Sequence, residues 1–459
     1  MCLADISTGE VHLFEFSGKD MANDAVNELS RFSPVEILIN DAFLTFKDIG
    51  DFIRTRLSAA VQLLDENQFS PMLHTDEVLK QFSADSFEVL GIDGDSAAAF
   101  AVCGLFGYIH ETQKALVGRF SQIIRHDKDP IMTIGFTARR NLELTETLRN
   151  KEKKGSLLWV LDNTKTSMGK RMLKSYLEQP LINPAKIIER LNAVEELYNS
   201  PVELSEITEL LSGVYDLERL MTRVMYKTAS PRDLKSLSVT ALKLPGLKYL
   251  LDGFSSKLLV SLNSQISTLE AVSNLIENAV VDEPPVNVKD GGVIRDGFNE
   301  RLDELRDIIS GGKDIIENIA AREREKTGIK NLKIGYNRVF GYYIEVTKSY
   351  YDLIPESYIR KQTLANCERF ITEELKNAEN TILGANDKVI SLEQEIFTEL
   401  REFIATQLRL VQETASAVAS VDVLCSYAAA AANNNYTKPE IAIDGVIDIK
   451  NGRHPVVEL

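Results

Sequence analysis

Apolar positions change their spacing several times along the chain, and these changes divide it. From 298 to 327, Leu302, Leu305, Ile309, Ile316 and Ile319 recur at steps of three, four, seven and three. This predicts a helix with one apolar seam. From 373 to 432, Leu375, Ala378, Ile382, Ala385, Val389, Leu392 and Ile396 recur at steps of three and four. Leu400, Ile404, Leu408, Val411, Ala415 and Val418 continue the series. No proline interrupts these residues, so the spacing predicts one rod of roughly 90 Å. Gly311-Gly312 and Gly384 weaken the two helices, a helical glycine costing about 1 kcal/mol against alanine.

Between these segments, Ile329–Tyr336 and Gly341–Thr347 are rich in β-branched and aromatic residues, and Asn337 to Phe340 supply a turn. The pattern predicts a hairpin, with Pro355 in a later loop. Two seamed helices around a β-rich insert imply an antiparallel pair with a small β domain at its tip.

The first 135 residues alternate strand and helix signals. Cys2–Ser7 and Glu10–Phe16 predict strands around Thr8-Gly9, and Val35–Asn40 and Pro130–Ile134 predict two more. Ser96–Thr112 predicts a buried helix, and the alternation an α/β domain. Residues 136–297 are mainly helical. Asn183-Pro184 sets an N-cap before Ile187, Ile188, Leu191, Val194 and Leu197, and Ser230-Pro231-Arg232-Asp233 repeats the device. Pro284-Pro285 and Gly291-Gly292 mark an irregular connection. Ile441–Leu459 predicts strands around Asn451-Gly452.

Composition excludes several classes. The 459 residues are 44% hydrophobic and 26% charged, which is ordinary globular usage. The longest apolar stretch, Ser96–Ile109, contains glycines and falls short of a span, so no membrane crossing is expected. Met1 is followed by neither a basic nor an apolar leader segment, so no signal peptide is expected. Four separated cysteines form no CxxC pair and suggest reduced thiols in a cytoplasmic protein.

The net charge of −16 argues against a chain coated in nucleic acid, but it leaves room for a local basic patch. Lys326–Thr372 holds eight basic residues (Lys326, Lys330, Lys333, Arg338, Lys348, Arg360, Lys361, Arg369) and four acidic ones (Glu345, Asp352, Glu356, Glu368). Its balance is therefore +4. Polar donors cluster at Arg360, Lys361, Gln362, Thr363 and Asn366, and the spacing of Asn366 and Arg369 would let them share a helix face with Thr363 or Gln362. A basic tip on an acidic body can bind phosphates.

Other chemistry finds less support. Gly169-Lys170 is followed by Arg171, and position 164 is threonine, so the phosphate-loop pattern fails. The five histidines show no ligand spacing; His110-Glu111 begins like a zinc-protease motif, but Lys114 stands where its second histidine belongs. Asp5 before a turn resembles the first metal ligand of ribonuclease-H-like nucleases. Glu36 and Asp41 are the nearest further carboxylates by order along the chain.

Seven segments follow one another along the chain: Thr137–Leu144 (TARRNLEL), Asp216–Leu220 (DLERL), Ala229–Leu234 (ASPRDL), Asp290–Ile294 (DGGVI), Gly341–Ile344 (GYYI), Gln362–Leu364 (QTL) and Gly452–Glu458 (GRHPVVE). In this order and register they resemble the MutS family of DNA mismatch-repair proteins. The resemblance implies a multidomain, mainly α fold. Residues 1–135 would be part of a ribonuclease-H-like, non-catalytic α/β connector. Residues 136–312 and 373–436 would be a helical core with long antiparallel levers, 313–372 a small β-rich clamp, and 437–459 the start of an ATPase domain.

It further implies a DNA-backbone contact through Arg360, Lys361, Gln362, Thr363, Asn366 and Arg369. The family often has lysine before Asn366, where this chain has Ala365. The family's mismatch-reading Phe-x-Glu domain and its Walker A loop have no counterpart here, so the chain resembles a central fragment without catalytic residues or bound cofactor. The parent is expected to be a DNA-dependent ATPase using ATP and Mg2+. Its expected partners are double-stranded DNA, a second copy in a homodimer and a downstream repair factor such as MutL, with no membrane. A metal-dependent nuclease around Asp5 and a structural coiled-coil or hinge protein are the alternatives. The coiled-coil reading suffers because the first arm is only about 30 residues long.

Overall fold

Short polar turns and long amphipathic runs give a mainly helical protein. The computed structural model describes residues 1–6, 8–112, 120, 122–126, 131–337 and 341–459. These form two compact units. One comprises Met1–Ala229, Ser236–Ser273 and Phe403–Leu459; the other comprises Ser230–Lys235 and Asn274–Glu402.

The first unit opens with β1 (Cys2–Asp5) and β2 (Glu10–Leu13), paired antiparallel. The reversal uses Gly9 at φ +75°, a conformation that glycine adopts without a Cβ clash. β3 (Glu36–Ile39) and β4 (Ala60–Leu63) pair in parallel as a separate two-stranded sheet. β5 (Gln122–Arg125) joins β2 in parallel. Helix Ala97–Thr112 lies in the core with Val11, Leu13, Val78 and Phe120, as its apolar composition predicts. The strand expected at Pro130–Ile134 is not formed as such. Pro130 lies outside the described residues, Ile131 makes one bridge to Leu181, and the pairing strand is β5 upstream. Residues 441–459 carry no strand: the apolar side chains of Ile443, Ile447 and Val457 have no ladder to join and stand exposed.

The helical part of this unit surrounds helix Leu408–Asn434. By length and composition that helix could cross a membrane, contrary to the expectation from Ser96–Ile109, but its apolar window is 67% buried. Helices Ser167–Glu178, Pro184–Asn199, Leu217–Met225 and Lys257–Gln265 pack on it. Inside it, Asp422 accepts hydrogen bonds from the Lys165 and Thr166 amides and from the Thr166 hydroxyl. It thereby satisfies donors at a helix start that would otherwise be buried unpaired. The Asn183 cap forms as expected, its Oδ1 accepting from Ala185 and Lys186.

In the second unit, the outgoing arm Glu300–Thr327 is unbroken through Gly311-Gly312 and ends at Gly328 in the left-handed region. The return arm is Glu373–Thr406, with the Thr372 hydroxyl accepting the Leu375 amide at its start. The expected single rod is two helices. Gln407 leaves helical geometry, with its amide bonded three residues back to Ile404, and helix Leu408–Asn434 follows. The arms run antiparallel: Arg322 pairs with Glu374, and Arg306 with Glu393. Between them the chain forms β6 (Lys333–Asn337), β7 (Gly341–Thr347), β8 (Ile359–Thr363) and β9 (Cys367–Ile371). They make one antiparallel sheet in the order β6-β7-β9-β8.

Candidate nucleic-acid interface

The sheet exists because alternate residues can join the seam of the arms. Ile344, Val346 and Phe370 face inward and pack with Ile316 of the outgoing arm and Leu375 and Ile382 of the return arm. Buried Glu323 accepts the Tyr358 hydroxyl at 2.7 Å, and the Arg324 Nε donates to the Leu332 carbonyl at 2.9 Å. Burial, then the hydrogen bond to Glu323, pushes the Tyr358 hydroxyl far above the usual phenol range. These contacts fix the sheet to the end of the outgoing arm.

β6 begins at Lys333 rather than Ile329, because Ile329 and Leu332 turn into the core before the ladder starts. In the expected turn, residues 338–340, Arg338 among them, lie outside the described residues. The helix face expected to join Gln362 or Thr363 to Asn366 and Arg369 is absent. These residues belong to the β8–β9 hairpin, where side chains alternate between faces.

A bulge decides their placement. Arg360 pairs with Phe370 and Gln362 with Arg369, so Lys361 is the extra residue without a partner in the ladder. Arg360 and Thr363 fall on the inward face beside Glu368, whereas Gln362 and Arg369 share the outer face. Each set is internally bonded. Arg360 Nη1 and Thr363 Oγ1 both donate to Glu368 Oε1 at 3.3 Å. Arg369 donates to Glu345 at 3.3 Å and to Gln362 Oε1 at 2.9 Å, and its guanidinium lies 4.1 Å over the Tyr343 ring. Gly335 makes room for that ring, since a Cβ there would lie 2.8 Å from its Cζ. Asn366 stands exposed at the hairpin turn, its carbonyl accepting the Lys348 amide.

The structure thus brings the six sequence-derived residues into one hairpin but engages four of them with one another or with acids. Lys326, Lys330, Lys333, Lys348 and Lys361 are exposed and carry no ion pair among the described residues. Sequence reasoning missed Glu345 and Glu368 as partners of Arg369 and Arg360. The alternation of Tyr343 and Glu345 along one strand was the available signal for the first.

The nuclease alternative lacks a site: among the described residues no three His, Cys, Asp or Glu side chains could hold a metal ion. Glu36 lies on the β3–β4 sheet, whereas Asp5 lies on β1 of the other sheet, and Glu36 accepts hydrogen bonds from Gln62 and Tyr108.

A family model described as MutS domain II matches residues 1–123, and one described as MutS domain III matches residues 137–428. The second spans more than half of the chain, including both arms and the sheet. The chain belongs to the MutS family. Curated relatives named DNA mismatch repair protein MutS, from Ruminiclostridium cellulolyticum and Acetivibrio thermocellus, are each 44% identical over 454 residues. Those alignments cover 99% of this chain and 52% of each relative. A relative of the same name from Caldanaerobacter subterraneus is 42% identical over 460 residues, covering 100% of this chain and 52% of the relative. The chain therefore spans about half the length of the MutS relatives it matches.

Proposed function

We propose that this chain serves DNA mismatch repair as the frame, levers and clamp of a mismatched-DNA-binding, ATP-dependent sensor. Residues 1–135 act as the connector, 136–312 and 373–436 as core and levers, 313–372 as the clamp, and 437–459 as the start of an ATPase domain. ATP and Mg2+ act elsewhere in the whole protein, which works as a cytoplasmic homodimer on double-stranded DNA and passes its signal to a downstream factor such as MutL. The family membership supports this reading. One observation carries the DNA contact: five exposed lysines in and beside the sheet have no acid partner among the described residues, while Glu345 and Glu368 are engaged by Arg369 and Arg360. Phosphates supply the missing counter-charge without any reading of base sequence.

Of the six residues that the family resemblance points to (Arg360, Lys361, Gln362, Thr363, Asn366 and Arg369), Lys361 at the bulge and Asn366 at the turn have side chains that are exposed and free of the Glu345 and Glu368 networks, and these two are the ones proposed for the backbone contact. The test is a salt titration of DNA binding by wild type and Lys361→Ala on matched and mismatched duplexes. The log–log salt slope should fall by about 0.9, the value of one phosphate contact, equally on both duplexes. An unchanged slope would remove Lys361 from the DNA contact.

A further inference from the structure

Among the described residues of the sheet, arginines and lysines are treated differently. Arg360 and Arg369 each meet a carboxylate within the sheet, whereas the five exposed lysines do not. The Arg360 pairing is lopsided. The arginine side chain is 64% exposed, but that of Glu368 is only 11% exposed. Glu368 receives Arg360 and Thr363 on the same oxygen, Oε1. If Arg360 turned outward to a phosphate, it would leave a mostly buried carboxylate with the Thr363 hydroxyl alone. Uncovering a buried charge is costly, and the exchange gains no net neutralised charge. Lys361 lies next to Arg360 in the chain, but the bulge takes it out of the ladder and away from this exchange.

We propose that Glu368 is a positioning residue that holds Arg360 off the DNA backbone, so that lysines supply the phosphate contacts at the tip. This rests on the reading of the tip as a phosphate-binding surface and specifies its chemistry. A guanidinium binds phosphate through a fixed two-pronged fork. An ammonium is a hydrated point charge whose contacts exchange easily. Withholding the arginine keeps the contact weak and free to move along the duplex. Glu368 thus limits the affinity of the surface it supports.

The experiment measures binding of the 459-residue chain to a fluorescently labelled matched duplex across a range of salt concentrations. Glu368→Gln keeps the side-chain shape but removes the charge that holds Arg360. It should bind severalfold tighter at low salt and steepen the salt slope by about 0.9, one added phosphate contact. Glu356→Gln makes the same change of net charge at an exposed acid of the tip, and its slope should match wild type. In the Glu368→Gln/Arg360→Ala double variant, the gain in slope should vanish. Arg360→Ala alone uncovers Glu368, so its fold is first checked by circular dichroism and its melting temperature; once folded, it should leave the wild-type slope unchanged. A slope loss of about 0.9 in Arg360→Ala would overturn the proposal. So would a gain in Glu368→Gln no larger than in Glu356→Gln, or a gain that survives loss of Arg360. Failure of the phosphate-contact reading has a separate signature, because replacing Lys326, Lys330, Lys333, Lys348 and Lys361 together by Ala would then leave both affinity and slope unchanged.

Discussion

Ile382 of the return arm lies against the bare backbone of Gly312 in the outgoing arm, where a Cβ would overlap its side chain. Gly311, one residue earlier, faces open space. Two neighbouring glycines in one helix therefore have opposite roles. Gly311→Ala should stabilise the chain by about 0.5–1 kcal/mol, since it removes only a poor helix former. Gly312→Ala should destabilise it by about 1–3 kcal/mol through overpacking. Chemical denaturation of both variants checks the pair, and two changes of the same sign would contradict this packing of the arms.

Further along the arms, Glu393 has a fully buried side chain and is held by Arg306 at 2.6 Å and by the Val293 amide at 3.2 Å. Arg306 also donates to the Ile294 carbonyl. The ion pair thus fastens the Gly291-Gly292 loop, which follows the proline-rich connection, to both arms. Arg306→Ala leaves a buried carboxylate without its cation and should cost about 3–5 kcal/mol. Glu393→Gln/Arg306→Met, which removes both charges, should recover much of that loss. The denaturation midpoints of the single and double variants decide it.

His126 gives the chain an acid-sensitive element. Burial chiefly, then the positive fields of His12 and Arg31, lower its pKa from 6.5 to about 4, against the opposing effect of Glu10. Its Nε2 is 3.0 Å from His12 Nδ1, and its ring stacks on Phe14. The unfolded chain therefore takes up this proton at higher pH than the folded one. Stability from this site is present above about pH 6.5 and is lost as pH falls toward about 4. Thermal melts should show that loss, and His126→Phe, which keeps the ring but cannot titrate, should make the dependence shallower over the same interval. An unaltered dependence would mean that other groups account for it.

The parts of this fold that local chemistry controls were legible in the sequence. Asn183 before Pro184 starts its helix and Gly328 after Thr327 ends one, as their residue types require. The seam from Leu302 to Ile319 and that from Leu375 to Ile396 line the facing sides of the arms. Features set by distant partners were not legible. Arg360-Lys361-Gln362-Thr363 has no apolar alternation, and it becomes a strand because β9 offers a ladder to an exposed edge. The bulge at Lys361 follows from that pairing alone. The break at Gln407 has neither proline nor glycine to announce it. Gly384, the suspected weak point, stays helical, with open space where its side chain would be. At the tip, the sequence supplied the basic residues but not which of them Glu345 and Glu368 already hold.

The most direct test of the central claim is where DNA touches the protein. A photoreactive benzoylphenylalanine in place of Lys361, at the bulge of the sheet, should crosslink to duplex DNA on illumination. Matched and mismatched duplexes should give similar yields, and both yields should fall as salt rises. The same group in place of Tyr249, an exposed side chain of the helical unit, serves as the reference. Crosslinking at 361 that exceeds the reference and is indifferent to the mismatch is the predicted result. Crosslinking at 361 no greater than at 249, or confined to the mismatched duplex, would contradict the account of the sheet as a sequence-independent contact with the DNA backbone.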